Sequence, residues 1–196
     1  MMQVPLTVGS MLEHAEKFFW KKQVISQTHD ELHHLTYREI GQRTRRLMST
    51  MKELGVMKGD RVGTLAWNHH RHLEIYFAAP GMGAVLHTIN IRLAPEDIIY
   101  IVNHAEDKIL FIDEDVLPLI EKVQDHLKTV EAYVVMTDKT ELPESTLQPI
   151  YSYEELLHTG DPTYKFTTDI DENDPAGMCY TSATTGKPKG VVYSHR

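Results

Sequence analysis

One stretch near the end of this 196-residue sequence combines hydroxyls, small residues and lysines in a way that could hold phosphates. Four residues there carry a hydroxyl on a short side chain: Thr181, Ser182, Thr184 and Thr185. A hydroxyl can donate to a phosphate oxygen, Gly186 lets the backbone approach a ligand closely, and Lys189 supplies a compact charge on a long stem. These residue types predict that residues 181–189, which we call the phosphate loop, cradle a polyphosphate. A plain polar turn between two strands is the alternative interpretation.

Two better-known phosphate-binding patterns do not fit this sequence. The Walker A loop requires Gly-Lys-Ser/Thr at its end, whereas Gly186 is followed by Lys187 and Pro188. The dinucleotide fingerprint requires a third glycine after the first two, and Leu86 stands at that position after Gly81-Met82-Gly83. The phosphate loop therefore belongs to another class.

The order of residues in the loop resembles the signature of the adenylate-forming superfamily of acyl-CoA synthetases, luciferases and peptide-synthetase adenylation domains. The usual form is Tyr-Thr-Ser-Gly-Thr-Thr-Gly-x-Pro-Lys-Gly-Val, and the segment from Tyr180 to Val191 matches it everywhere except at Ala183. Five upstream stretches resemble the medium- and long-chain fatty acyl-CoA synthetase branch: Leu35–Glu39, Gly59–Val62, Asn68–Glu74, Pro80–Thr88 and Asn103–Asp107. The resemblance runs from about Leu12 to the last residue, and indicates the N-terminal portion of the large domain of such an enzyme.

The resemblance implies a fatty acid–CoA ligase that works in two steps. A fatty carboxylate attacks the α-phosphorus of ATP, and the thiol of coenzyme A then displaces AMP from the acyl-adenylate. ATP, coenzyme A and the fatty acid are thus the implied small-molecule partners, with Mg²⁺ assisting. Carried over by position, the nucleotide contacts are Thr181, Ser182, Ala183, Thr184, Thr185, Gly186 and Lys189. The resemblance also places Thr181 near the metal, and it assigns no catalytic residue within this chain.

Two departures from the family pattern bear on activity. Ala183 replaces a glycine, and an alanine is strained wherever the backbone needs a positive φ. Members of the family also continue far beyond the part matched here, so we expect this chain alone to be inactive. The open alternatives are a luciferase-like or amino-acid-adenylating relative, and a non-catalytic truncated module that binds a partner or binds nucleotide weakly.

Composition narrows the class of protein. The net charge of −8 argues against nucleic-acid binding. No apolar run reaches bilayer length, and the N-terminus lacks a signal pattern. Cys179 is the only cysteine, so no internal disulfide can form, and we expect a cytoplasmic protein in which Cys179 is a buried structural residue.

Apolar periodicity predicts an α/β fold with a mostly parallel sheet and flanking helices. Helices are expected over about 10–20, 36–54, 70–82, 95–104, 116–127 and 153–158. Strands are expected over about 23–28, 34–36, 61–67, 84–89, 108–112, 132–136, 178–181 and 190–194, and residues 142–150 are expected to form a loop. We expect one α/β subdomain over 1–160, and over 161–196 a linker and a strand–loop–strand that carries the phosphate loop. Exposed sheet edges suggest a possible homodimer.

Several local features give sharper expectations. Ser10 and Thr36 are predicted helix caps, each followed three residues later by a glutamate. Four cationic residues of the second helix are expected on a solvated flank rather than at an anion site: Arg43, Arg45, Arg46 and Lys52. His29 and His33 are four apart, but the glutamate is misplaced for a zinc protease motif. A second histidine group is expected to serve a helix end rather than a metal: His69, His70 and His72.

Overall fold

The computed structural model describes residues 4–28, 31–139, 141–181 and 186–196. The α-helices among them are α1 (Val8–Phe18), α2 (Tyr37–Glu53), α3 (His70–Gly81), α4 (Pro95–Ala105), α5 (Leu117–Glu121) and α6 (Tyr153–Thr159). The strands are β1 (Gln23–Gln27), β2 (Leu32–Thr36), β3 (Arg61–Leu65), β4 (Val85–Thr88), β5 (Asp107–Asp113), β6 (Ala132–Met136), β7 (Ile150–Ser152), β8 (Pro175–Thr181) and β9 (Lys189–Ser194).

Seven of these strands form one sheet in the order β7-β6-β5-β3-β4-β8-β9, and β1 and β2 form a separate antiparallel ribbon. Every neighbouring pair in the large sheet is parallel except β8 and β9. The predicted fold class, an α/β protein with a mostly parallel sheet, is confirmed. Alternating strands and helices produce this layout because a parallel pair needs a long crossover connection, which here is usually a helix.

The central strands of the sheet are covered on both faces, as their continuous apolar runs require. On one face, Val62, Phe111 and Val134 pack with residues of α2, α3 and α6. On the other face, Leu110 and Ile112 pack with residues of α4 and α5. Because successive strand residues point to opposite faces, each central strand contributes to both cores.

Helix starts follow the capping rules, with one correction. Thr36 and Glu39 form the predicted reciprocal capping box of α2, with the Thr36 amide donating to the Glu39 carboxylate at 2.7 Å. Pro95 occupies the first turn of α4, as its fixed φ favours. The predicted cap at Ser10 is wrong, because α1 begins at Val8 and its cap is Thr7, whose side chain accepts the Ser10 amide at 3.3 Å.

Two other expectations were too simple. The helix predicted over 116–127 is broken into a short α5 flanked by 3₁₀ turns at Glu114–Val116 and Gln124–His126. The loop predicted over 142–150 ends in β7, which pairs with β6 at the sheet edge. A three-residue strand is too short to show a period of two, so its pairing partner decides its structure.

The prediction of a solvated arginine flank on α2 is wrong. Arg43 donates to Glu74 at 2.6 Å and to both carboxylate oxygens of Glu154 at 2.9 Å. Arg45 pairs in the same forked way with Glu16 at 2.7 and 2.8 Å. These arginines join α2 to α1, α3 and α6, and sequence spacing alone cannot reveal partners so far along the chain.

Candidate functional site

The phosphate loop leaves the sheet at the edge where its parallel strands end. β8 runs parallel to β4, with Cys179 opposite Thr88. β9 then returns antiparallel to β8, with Lys189 opposite Thr181. Open α/β sheets bind ligands outside the carboxyl ends of their strands, so the loop emerges where this architecture favours a ligand.

Thr181 is the last residue of β8 and Lys189 is the first residue of β9, so the two residues flank the turn of the hairpin. They are direct antiparallel partners, and residues paired in this way lie on the same face of the sheet. Both residues are exposed. The Thr181 hydroxyl makes a long contact of 3.5 Å with the Lys189 carbonyl. One hydroxyl and one ammonium are therefore brought together on one face at the mouth of the turn.

Gly186 has the conformation predicted for a close backbone approach. Its φ is +99°, a value that L side chains rarely adopt, and no heavy atom of the described residues lies within 4 Å of the position that a Cβ would occupy. The backbone at Gly186 is thus open to a ligand. The remaining predicted contacts lie outside the described residues: Ser182, Ala183, Thr184 and Thr185.

Cys179 lies just before the loop and departs from its prediction. It is half-buried rather than buried, and its Sγ lies 3.5 Å from the Tyr193 hydroxyl on β9. Its side chain belongs to the outermost strand pair, where no further strand or helix of the described chain closes the edge.

A cavity of about 590 Å³ lies at the carboxyl ends of β3, β5 and β6. The strand order reverses between β3 and β5, because β3 leads to β4 on one side whereas β5 lies on the other. Trp67 is half-exposed at the cavity, and its indole nitrogen donates to Asp115 at 2.8 Å. The Trp67 amide and His69 bind the two carboxylate oxygens of Asp113 at 2.6 and 2.8 Å.

Sequence reasoning did not single out this cavity. The signal was available, since Asp113 and Asp115 follow a predicted buried strand at an edge that favours ligands. The contacts described above use the carboxylates of both residues to fix Trp67 and His69, and Asp138 is held by Arg71 at 2.7 Å. The cavity is therefore built mainly from groups that hold each other in place.

The histidine group at the start of α3 serves the helix end, as predicted. His69 caps the helix, His70 binds the Ser26 hydroxyl at 2.9 Å and His72 binds the Thr64 hydroxyl at 3.1 Å. Burial lowers the pKa of His70 to about 3, with the charge of Arg71 adding to the effect. His70 is thus neutral at pH 7. His29 lies outside the described residues, and His33 contacts Asp138.

Metal-binding clusters and membrane-spanning helices are absent from the described residues. Within residues 4–28, 31–139, 141–181 and 186–196, no group of three or more His, Cys, Asp or Glu side chains is arranged to hold a metal ion. None of the helices in that part of the chain is long and apolar enough to cross a bilayer.

Comparison with known proteins gives relatives for nearly the whole chain. A long-chain-fatty-acid–CoA ligase of Thermus thermophilus is 52% identical, over an alignment that covers 100% of this chain and 35% of the relative. A medium-chain-fatty-acid–CoA ligase of Ectopseudomonas oleovorans is 42% identical, covering 100% of this chain and 36% of that protein. The chain therefore spans about a third of the length of these curated relatives.

The fold has solved counterparts as well. The crystal structure of an anthranilate CoA ligase in complex with anthranoyl-AMP superposes with a TM-score of 0.86, over 99% of this chain and 36% of that one. The sequence identity is 24%, so this likeness concerns the fold alone. The family described as AMP-binding enzyme matches residues 12–196. With that match and the two close relatives, the chain belongs to the AMP-binding enzyme family.

Proposed function

We propose that this chain is the N-terminal part of an ATP-dependent fatty acid–CoA ligase, and that its phosphate loop holds the β- and γ-phosphates of ATP. The observation that carries the proposal is the pairing of Thr181 with Lys189 at the mouth of a turn whose Gly186 backbone is open. Fatty acid–CoA ligases of two chain-length classes are 52% and 42% identical to the chain. Luciferase-like and amino-acid-adenylating activities have no comparable support.

Three of the described loop residues have a role in this proposal: Thr181, Gly186 and Lys189. Lys189 neutralises phosphate charge, and a flexible ammonium suits a phosphate without requiring planar geometry. Thr181 donates its hydroxyl, and Gly186 offers its backbone N–H, a group that binds anions in turns. The chemistry at this end of the molecule is positioning and charge neutralisation, which provide most of the catalysis in phosphate-handling enzymes.

Mg²⁺ is the finer part of the proposal. The ion prefers oxygen ligands and keeps several waters, so it commonly binds through one or two protein oxygens together with substrate phosphates. The exposed Thr181 hydroxyl fits that requirement as a single ligand beside the triphosphate. When bound, Mg²⁺ would neutralise phosphate charge. Lys189, opposite Thr181, would then face the same phosphates.

The remaining parts of the proposal concern organisation and location. The boundary at residue 160 stays a proposal, and β8 is hydrogen-bonded to β4 in the same sheet as the proposed subdomain. A cytoplasmic location is proposed because Cys179 is the only cysteine in the sequence. A homodimer is proposed from the exposed edge at β9.

Titration with inorganic tripolyphosphate tests the loop without its nucleoside. Lys189→Ala is expected to weaken tripolyphosphate binding about tenfold, because a hydrogen bond to a charged group contributes roughly 1.5 kcal/mol or more. The matched control is Lys165→Ala, which removes an equal charge from an exposed site. AMP, which lacks the β- and γ-phosphates, should bind Lys189→Ala and the unaltered chain equally. Equal tripolyphosphate binding by all three proteins would refute the cradle.

An assay for thioester formation tests the expectation that the chain is inactive alone. With ATP, Mg²⁺, coenzyme A and a fatty acid, the chain is expected to give no repeated turnover, since its relatives use about three times its length. Multiple turnovers would show that this third of the molecule contains a complete catalytic site.

A further inference from the structure

The residue just before the phosphate loop is fixed by two histidines. The Tyr180 hydroxyl lies 2.6 Å from Nδ1 of His104 in α4. The Tyr180 ring also packs on His87 of β4, with ring centroids 5.1 Å apart. His87 is fully buried and is bound by Asp107 at 2.7 Å. Tyr180 therefore has one polar anchor on a helix and one aromatic contact within the sheet.

The polar anchor uses a protonated phenol. Burial raises the pKa of Tyr180 to about 12, and the charge of Asp107 adds to the effect. The hydroxyl thus keeps its proton throughout the neutral range and can act as the donor in its contact with Nδ1 of His104. A donor and an acceptor at 2.6 Å form a short hydrogen bond.

The residue that follows Gly186 is held by the same helix. The Lys187 ammonium lies 4.8 Å from the centroid of the Tyr100 ring, within the range of a cation–π interaction. Tyr100 and His104 are four residues apart in α4, and their rings lie 5.2 Å apart. Residues spaced by four share one face of a helix, so one face of α4 contacts the chain on both sides of the turn.

α4 is itself firmly placed. Ile98, Ile101 and Val102 are buried in the core beneath the sheet. At the end of the helix, the Asn103 side chain donates to the His126 carbonyl and accepts the Lys128 amide, both at 2.8 Å. A helix held along its length is a suitable support for a loop that must keep a set geometry.

We propose that Tyr100 and His104 of α4 are positioning residues that hold the two stems of the phosphate loop through Lys187 and Tyr180. The consequence of this inference for phosphate binding rests on the proposed function. The contacts of α4 with Tyr180 and Lys187 do not depend on that function. The inference also assigns different roles to the two lysines. The Lys187 ammonium lies over an aromatic ring on α4, whereas Lys189 lies on β9 opposite Thr181.

Amide hydrogen exchange of the two stems, 178–181 and 189–192, tests the contact directly. Tyr180→Phe removes the bond to His104 and is expected to speed exchange there about two- to tenfold. Lys187→Met removes the cation–π contact and should speed amide exchange of the stems about two- to fivefold. Lys187→Arg keeps a cation over the ring and should restore the original rates. Tyr193→Phe removes a hydroxyl from the same hairpin but not the contact with α4, and is the matched control.

Tripolyphosphate affinity provides the second readout. Weaker binding by Tyr180→Phe and Lys187→Met, with faster stem exchange and an unchanged midpoint of thermal unfolding, supports the positioning role. Unchanged exchange, or faster exchange with unchanged affinity, overturns it. If the unaltered chain binds no tripolyphosphate while the variants still exchange faster, the phosphate function fails and the hold of α4 on the hairpin is upheld.

Discussion

On one face of the sheet, α2, α3 and α6 enclose Glu74 and Tyr153, whereas on β9, the last strand in the sheet order, all six residues are exposed. Glu74 is bound by Arg43 at 2.6 Å and by the Tyr153 hydroxyl at 2.7 Å, and its side chain is fully buried. β9 instead presents three large apolar residues to solvent: Val191, Val192 and Tyr193. One face of the sheet is thus closed by specific polar contacts within the chain, whereas β9 offers apolar surface and an outer edge that pairs with no other strand of the described residues.

This difference indicates that substitutions among the buried polar contacts will change the free energy of unfolding, whereas substitutions on β9 will change association or binding. A buried charge is costly when its partner is lost. An exposed strand tolerates substitution but can pair with another chain. The candidate site lies beside β9, in the exposed region.

Loss of Arg43 should give the largest effect on stability. Burial lowers and the charges of Glu74 and Glu154 raise the pKa of Arg43, with a net rise, so Arg43 is charged in the folded chain. Arg43→Met would leave Glu74 buried without its cation and is expected to cost about 3 kcal/mol of unfolding free energy. Urea unfolding measures this cost. Adding Glu74→Gln should recover part of it, and a double variant no more stable than Arg43→Met would contradict the pairing.

Two glycines allow a direct comparison of the two regions, because Gly160 packs against α2 and Gly190 lies in β9. A Cβ at Gly160 would lie 2.3 Å from the backbone oxygen of Arg46, and backbone cannot easily yield. Gly160→Ala is therefore expected to cost about 2 kcal/mol through overpacking. A Cβ at Gly190 in β9 would lie 3.2 Å from the Tyr180 ring and 3.4 Å from the Met178 side chain. Gly190→Ala should cost less than Gly160→Ala, and the reverse order in thermal unfolding would break the comparison.

Acid should lower the stability of the chain through two buried histidines of α3, His70 and His72. The pKa of His70 is about 3 when folded and near 6.5 when unfolded. The unfolded chain therefore binds more protons in this window, and stability falls as pH drops from about 6.5 toward 3. Burial also lowers the pKa of His72, which contributes in the same direction.

Urea unfolding at several pH values between 6.5 and 4.5 measures this contribution. His70→Gln should flatten the pH dependence without removing it, because His72 remains. A slope equal to that of the unaltered chain would rule out His70 as a contributor. Below pH 4.5 the carboxylates add a separate loss, since Arg43 and Arg71 lower the pKa of Glu154 to about 2 against the effect of burial.

A substitution on β9 should have the smallest effect on stability and a visible one on association. Val192 is 56% exposed on the outermost strand. Val192→Lys is expected to leave the unfolding free energy within about 0.5 kcal/mol, while a lysine on an edge strand discourages pairing with another chain. Light scattering across a concentration series tests this. Self-association that persists unchanged in Val192→Lys would locate any dimer contact away from this edge.

Local signals in the sequence predicted much of the fold and part of the site. Thr36 with Glu39, and Pro95 before its helix, fix helix starts through contacts within one turn, so both were predicted. The hairpin stems were predicted because the phosphate loop separates two apolar segments. Arg43 was misread because its partners lie 31 and 111 residues away. The hold of α4 on Tyr180 was equally invisible, since His104 is 76 residues distant.

The placement of Tyr100 and His104 on successive turns of α4 links Tyr180 and Lys187 to one rigid element. A small axial displacement of that helix would move Tyr180 and Lys187 in the same direction, because both contact the same helix face. Under the proposed function, such a displacement would shift the position of a bound triphosphate while keeping Tyr180 and Lys187 in register with each other.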